Sequence, residues 1–151
     1  MDGVRIARAK PSDLLELSKL TMEGFAYTQP APWKVQDRLL NPKVHYFTAK
    51  LGDKLIGFSD LEVDPSNPKL ARLLGVYVKE AYRGKGIATQ LMEAGLKEAN
   101  RLGVTRVELL VAEGNEKARS IYESMGFTEG GKLGHPINGK PALKMLKELK
   151  A

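Results

Sequence analysis

Residues 70–89 read LARLLGVYVKEAYRGKGIAT, and this stretch decides the fold. The first nine residues form a near-continuous apolar run, the pattern of a strand buried on both faces at the centre of a sheet. A short loop rich in glycine and basic residues follows and opens directly into a helix over 87–101. There Ile87, Ala88, Leu91, Met92, Gly95, Ala99 and Leu102 recur at helical spacing, and Gly103 ends the helix as a left-handed cap residue. Gly84 and Gly86 let backbone N–H groups approach a ligand closely. The helix N-terminus adds unsatisfied donors and a partial positive charge. Together they make an anion site suited to a pyrophosphate, with Arg83 and Lys85 adding full charge beside it.

Two common phosphate binders are excluded by spacing. A P-loop requires G-x-x-x-x-G-K-[ST], but Gly84-Lys85 is followed by Gly86, and position 79 is a lysine. A dinucleotide loop requires G-x-G-x-x-G, and Thr89 stands where the third glycine belongs. The loop also follows the fourth strand rather than the first.

Working outward, residues 4–9 read as a first strand. Pro11 and Asp13 start a helix that runs to about residue 26. Tyr27–Lys34, with two prolines, reads as a loop or broken helix, and 34–40 as a short helix stopped by Asn41-Pro42. Strands 44–51 and 54–63 meet through Gly52-Asp53 as an antiparallel hairpin. Asp64-Pro65-Ser66-Asn67-Pro68 is turn chemistry ahead of the central strand. Beyond the long helix come a strand over 105–112 and a helix from Asn115 to Met125, stopped by Gly126. Weaker strands at 128–135 and 141–147 flank an Asn138-Gly139 turn. Pro141 places the last strand at an edge or at its own beginning. The order β-α-(α)-β-β-β-α-β-α-β-β predicts one mixed α/β domain spanning residues 1–151.

Arg83, Gly86 and Ala88 spell Arg-x-x-Gly-x-Ala, and Asn115, Ala118, Tyr122 and Gly126-Phe127 spell N-x-x-A-x-x-x-Y-x-x-x-G-F after the fifth strand. With these motifs and this element order, the chain resembles the GNAT family of N-acetyltransferases. The resemblance implies the acyl-CoA N-acyltransferase fold with strands four and five splayed, and acetyl-CoA as co-substrate without a metal. The pantetheine arm would pair with the backbone of Val76, Tyr77 and Val78. The pyrophosphate would lie on Arg83, Gly84, Lys85, Gly86, Ile87, Ala88 and Thr89, and Asn115 would also touch the cofactor. Tyr122 matches the family's general acid, and it also reads as a packed aromatic at the cleft edge. Gly75 marks a bulge that would splay the two strands.

The general base is not legible. Strand four carries no acid, and the position twelve residues before the tyrosine, a glutamate in some relatives, is Leu110. Glu108 lies beside Arg106 and reads as a surface ion pair, while Asp60 and Glu62 could face the cleft. An α-amine, of pKa about 7.7–8.0, needs less help from a base than a lysine amine at about 10.4. The expected reaction is direct attack by a primary amine (a protein N-terminus, a lysine or a small amine) in a ternary complex. The alternative is a non-catalytic acyl-CoA sensor or interaction module. Phe25, Tyr27 and Trp33 would line the acceptor site, and the hairpin at Asn138-Gly139 could support a homodimer.

Composition narrows the remaining classes. Cysteine is absent from the 151 residues, which excludes a thiol acyl-enzyme, thiolate zinc sites and disulfide scaffolds. His45 and His135 do not form a metal motif, and Gly57–Leu61 misses the nucleophile elbow at its last position. The net charge of +6 is spread along the chain, with no basic arm to mark a nucleic-acid partner. No apolar run approaches the roughly 18–20 residues of a membrane span, and MDGVRIARAK lacks the apolar stretch of a signal peptide. A cytoplasmic location with no membrane partner is the expectation.

Overall fold

In a computed structural model of the chain, residues 3–24, 32–137 and 140–149 are described. Seven strands form one sheet in the order β1-β2-β3-β4-β5-β7-β6. They are β1 (Val4–Arg8), β2 (Val44–Leu51), β3 (Lys54–Asp64), β4 (Asn67–Val78), β5 (Arg106–Ala112), β6 (Thr128–Ile137) and β7 (Lys140–Glu148). The helices are α1 (Leu14–Gly24), α2 (Pro32–Leu40), α3 (Ile87–Arg101) and α4 (Glu116–Ser124). β4 takes the central place expected from its apolar run, but only Ala71, Leu73 and Val78 of it are buried and Leu74 is exposed. The step from β4 to β5 is parallel and crosses over through α3. Leu51 faces Lys54 across the β2–β3 hairpin, and Gly52 takes φ 62° in the two-residue turn.

Three boundaries differ from the sequence reading. The turn after β3 is shorter, because the Asp64 carboxylate accepts bonds from the Ser66 N–H (3.0 Å) and hydroxyl (2.9 Å) and closes it within two residues. Pro68 therefore lies inside β4. Its missing N–H leaves the β5 ladder intact, because that pairing starts only at Leu70. The last strand is not an edge: β7 lies between β5 and β6. Pro141 is its second residue, and its carbonyl accepts the Glu113 N–H at 2.7 Å. Finally, α2 starts at Pro32, which serves as a first helical residue where no N–H is needed. Phe25, Tyr27 and the Asn138-Gly139 turn lie outside the described residues.

Helices cover both faces of the sheet. Leu17, Leu20 and Val35 of α1 and α2 pack against Val44, Tyr46, Leu55 and Phe58. On the opposite face Ile87 and Leu91 of α3 pack against Phe47, Ala49, Ile56 and Val78. Met92 and Ala99 join Leu61, Leu73, Val107, Leu109, Phe127 and Met145, with Ile121 and Tyr122 of α4 packed alongside. Leu102, expected on the buried face of α3, is its C-cap and is partly exposed.

The central strands are paired over a short length only. β4 and β5 match from Leu70–Arg106 to Leu73–Leu109 and no further. On its other side β4 pairs Leu73 with Leu61 but Gly75 with Asp60, so Leu74 is an extra residue. This is a β-bulge, which bends the strand that carries it. It falls one residue before the glycine expected to mark it. Beyond it, Val76–Val78 stay paired to β3 and leave β5.

His45, buried on β2, is a titratable group in the fold's support. Arg8 can only donate, so its 2.9 Å contact with Nδ1 requires an unprotonated Nδ1. Burial first, and then the charges of Arg8 and Arg101 against the opposing Glu98, hold the His45 pKa below the usual histidine value. Between that lowered value and the unfolded value near 6.5 the unfolded chain binds more protons, so stability falls as pH drops through this window. Urea unfolding at pH 7 and pH 5 should therefore show a larger acid loss in the wild type than in His45→Asn; equal losses would remove His45 as the cause.

Candidate active site

The fork between β4 and β5 opens onto the N-terminus of α3 and onto α4. Gly84 and Gly86 both take positive φ, 78° and 80°, a conformation open to glycine and strained for other residues. A β-carbon at either position would meet nothing within 4 Å, so the space over this loop is open. Gly86 is the N-cap of α3, and no side chain caps the helix, which leaves the first-turn N–H groups directed at that space.

A cavity of about 450 Å³ fills the fork on the α3/α4 side. Its walls are Val76, Tyr77 and Val78 of β4, the loop residues Arg83, Gly84 and Gly86, Ile87–Thr89 of α3, and Asn115 and Tyr122. The sequence-derived residues are thus brought together, with one exception: Lys85 is not in the lining. Residues that the motifs did not single out also line it, among them Tyr82, Met92, Lys117 and Ile121. Lys117 could have been found from its place in the first turn of the helix that Asn115 caps. Met92 and Ile121 could not, since they read as ordinary core positions.

Asn115 caps α4, its Oδ1 accepting the Ala118 N–H at 3.2 Å. One turn on, Tyr122 stands edge-on to Phe127, with ring centroids 6.3 Å apart. Burial pushes the Tyr122 hydroxyl above the usual tyrosine range, so it stays protonated at neutral pH. Tyr122 is a packed ring that also lies in the cavity wall. Arg83 is placed otherwise than a free phosphate ligand. Its Nε donates to the Val78 carbonyl at 2.8 Å, and its guanidinium lies over the Tyr77 ring, 5.3 Å from the centroid.

The far side of the fork carries a second cavity of about 310 Å³, lined by Arg72, Leu74, Glu108, Leu110 and Lys144 among others. Glu108 does not pair with Arg106, as the sequence suggested. The two share a face of β5, but each is paired across the sheet instead: Arg106 sits opposite Glu148 on β7 and reaches it at 2.8 Å, while Glu108 sits opposite Arg72 on β4 and lies between Arg72 (3.9 Å) and Lys144 (3.7 Å). Asp60 and Glu62 are both held by Arg38 of α2, at 2.6 and 2.8 Å. Burial raises the Asp60 pKa while Arg38 opposes the rise, and Tyr46 beside them is pushed up to about 12, first by burial and then by Asp60. Ser59, in the segment that fails the nucleophile elbow, is fully buried and donates to the Leu91 carbonyl at 3.2 Å.

Residues 12–127 match the model of the acetyltransferase (GNAT) family. An uncharacterized N-acetyltransferase, YycN of Bacillus subtilis, is 34% identical over 95 residues, covering 60% of each chain. The mycothiol acetyltransferase of Corynebacterium efficiens is 39% identical over 77 residues, 51% of this chain and 25% of that protein. The matched segment thus spans less than two thirds of either relative. The paia N-acetyltransferase of Thermoplasma acidophilum, solved in complex with coenzyme A, superposes with a TM-score of 0.81 at 20% identity over 97% of this chain and 99% of that one. Among the described residues no helix is long and apolar enough to cross a membrane.

If the Asn115 side chain is what starts α4, Asn115→Ala should lower the unfolding free energy by about 0.5–2 kcal/mol. A urea midpoint identical to that of the wild type would count against it.

Proposed function

The chain belongs to the acetyltransferase (GNAT) family, and on that premise we propose that it is an N-acetyltransferase moving an acetyl group from acetyl-CoA to a primary amine. The observation that carries this reading is the fork cavity, where an uncapped helix N-terminus, two left-handed glycines and Tyr122 share one wall. Its volume suits an extended ligand of cofactor size. Coenzyme A bound to a structural relative of the same fold supports the choice of ligand.

The N–H groups at the start of α3 and the loop Gly84–Gly86 receive the pyrophosphate, the helix dipole favouring its charge. The backbone of Val76–Val78, which lies beyond the end of the β5 ladder, runs beside the pantetheine arm. Ile87, Ala88 and Thr89 form the near wall, Asn115 bounds the far one, and Lys85 adds charge outside it. Acetyl-CoA supplies the acyl group as a thioester. N–H groups of β4 polarise its carbonyl as an oxyanion hole does. Tyr122, protonated at neutral pH and in the cavity wall, gives its proton to the departing thiolate. With no cysteine in the chain, the amine attacks the thioester directly.

The amine must lose its proton on the way. Asp60 and Glu62 are engaged by Arg38 and do not serve as a free base. This arrangement suits an acceptor that is already largely neutral near pH 8, such as an α-amine, better than a lysine side chain. It also favours a second reading, a non-catalytic acyl-CoA sensor.

Incubation with acetyl-CoA and a panel of α-amines, lysine peptides and small amines should release free CoA thiol, read by a thiol reagent. Tight CoA binding with no turnover on the whole panel would favour the sensor. Tyr122→Phe should lower kcat by roughly 10²-fold or more with CoA affinity nearly unchanged; full activity would remove Tyr122 as the acid. Gly86→Asp, which combines a carboxylate with a left-handed backbone, should abolish CoA binding in calorimetry.

A further inference from the structure

Tyr77 does more in this fold than lend its backbone to the cavity wall. Its side chain points to the α1/α2 face, next to Phe58, at a centroid separation of 6.5 Å. Its hydroxyl donates to Glu23 Oε2 at 2.7 Å. The neighbouring Gly24, last residue of α1, lies so close that a β-carbon there would sit 2.5–2.9 Å from three ring atoms. The position therefore takes glycine because the end of α1 rests on the Tyr77 ring. Above the same ring lies the Arg83 guanidinium, 5.3 Å from the centroid, with Nε on the Val78 carbonyl. Arg83 is the residue from which the glycine loop departs.

We propose that Tyr77 is the positioning residue of the cofactor loop: its ring seats the Arg83 guanidinium against β4, and its hydroxyl bond to Glu23 fixes that ring from α1. The proposal rests on the reading of residues 83–89 as the pyrophosphate loop. A loop carrying two left-handed glycines has little stiffness of its own, and an N–H cradle binds an anion well only if it is held in place beforehand. Arg83 supplies the fixed end. A planar guanidinium can lie flat on a ring while donating from its edge to a carbonyl, and a lysine ammonium cannot do both. In this arrangement Arg83 acts through geometry and not as a charge on the phosphate.

The arrangement makes a prediction that a direct phosphate contact does not share. Calorimetry with CoA would compare Tyr77→Leu, Tyr77→Phe, Arg83→Met, Arg83→Lys and the Tyr77→Leu/Arg83→Met double variant, each checked for wild-type circular dichroism. Tyr77→Leu and Arg83→Met should each weaken CoA by about tenfold, the scale of a lost stacked cation with its hydrogen bond. The double variant should lose little more than either single one, because both remove the same support. Arg83→Lys should behave like Arg83→Met, and Tyr77→Phe, which keeps the ring, should fall between wild type and Tyr77→Leu. A hundredfold loss in the double variant, or wild-type affinity in Arg83→Lys, overturns the proposal. Hydrogen exchange of the Gly84, Lys85 and Gly86 amides in the ligand-free chain gives a readout that needs no cofactor. It should quicken in Tyr77→Leu and in Glu23→Gln, and unchanged exchange in both also overturns it. A wild-type chain that binds no CoA would sink the functional reading instead, and the exchange experiment would still decide the role of Tyr77.

Discussion

One extra residue, Leu74, controls how much of the sheet is left open. A central strand buried on both faces would ordinarily pair along its full length with both neighbours, since unpaired N–H and C=O groups in a core are costly. β4 instead keeps all of its pairing with β3, and a bulge turns it away from β5 after Leu73. The bend carries Val76–Val78 past the end of the β5 ladder to the wall of a cavity. The same bend separates β4 and β5 enough that each face of the fork holds its own cavity. Helix α3, which must return the chain to β5 in parallel, starts beside this gap and so brings its N-terminus to it.

Around the fork, charged side chains are used mostly to fix backbone. Arg38 ties α2 to Asp60 and Glu62 on β3. Lys50 ties β2 to Asp13 ahead of α1 at 2.6 Å. Arg8 joins β1 to His45 and to Glu98 of α3. Arg83 belongs to this group, spending its donors on β4 and its face on Tyr77. Much of the positive charge is therefore used to fix structure. At the cavity there remain Lys117 in its wall and the N-terminus of α3, whose donors no side chain has taken.

Much of this was legible locally. The helix over 87–101 is delimited residue for residue by its own periodicity and by Gly103, and β2 by its flanking turn chemistry. The gathering of Tyr122 with the residues of β4 and the glycine loop followed from two motifs. What the sequence left open or misread shares a cause, and Pro141 belongs to the first kind, since it does stand at the beginning of β7. Pro141 was read by its missing N–H as an edge or a start. Which of these holds depends on β6 lying outside β7, a long-range pairing. Glu108 was assigned to Arg106 by nearness in sequence, but cross-strand register gives each a different partner, Arg72 opposite Glu108 and Glu148 opposite Arg106. Lys85, adjacent to two cavity residues, is itself outside the wall.

By itself, the sequence determined the order of elements, the glycine-rich turn that opens α3 after β4, and, through the absence of cysteine from these residues, that no thiol is present to form an acyl-enzyme. These properties depend on backbone propensity, on glycine's freedom at positive φ and on what side chains exist, all of which are local. Only the tertiary structure decided which carboxylates are spoken for, that Leu74 rather than Gly75 is the bulged residue, and that the exposed Arg83 has its guanidinium over the Tyr77 ring. Those outcomes turn on cross-strand register and on α1 and α2 settling over one sheet face. They depend on long-range partners such as Arg38 with Asp60 and Glu23 with Tyr77, whose pairing is set by packing of the whole domain and cannot be read from any short stretch of the chain.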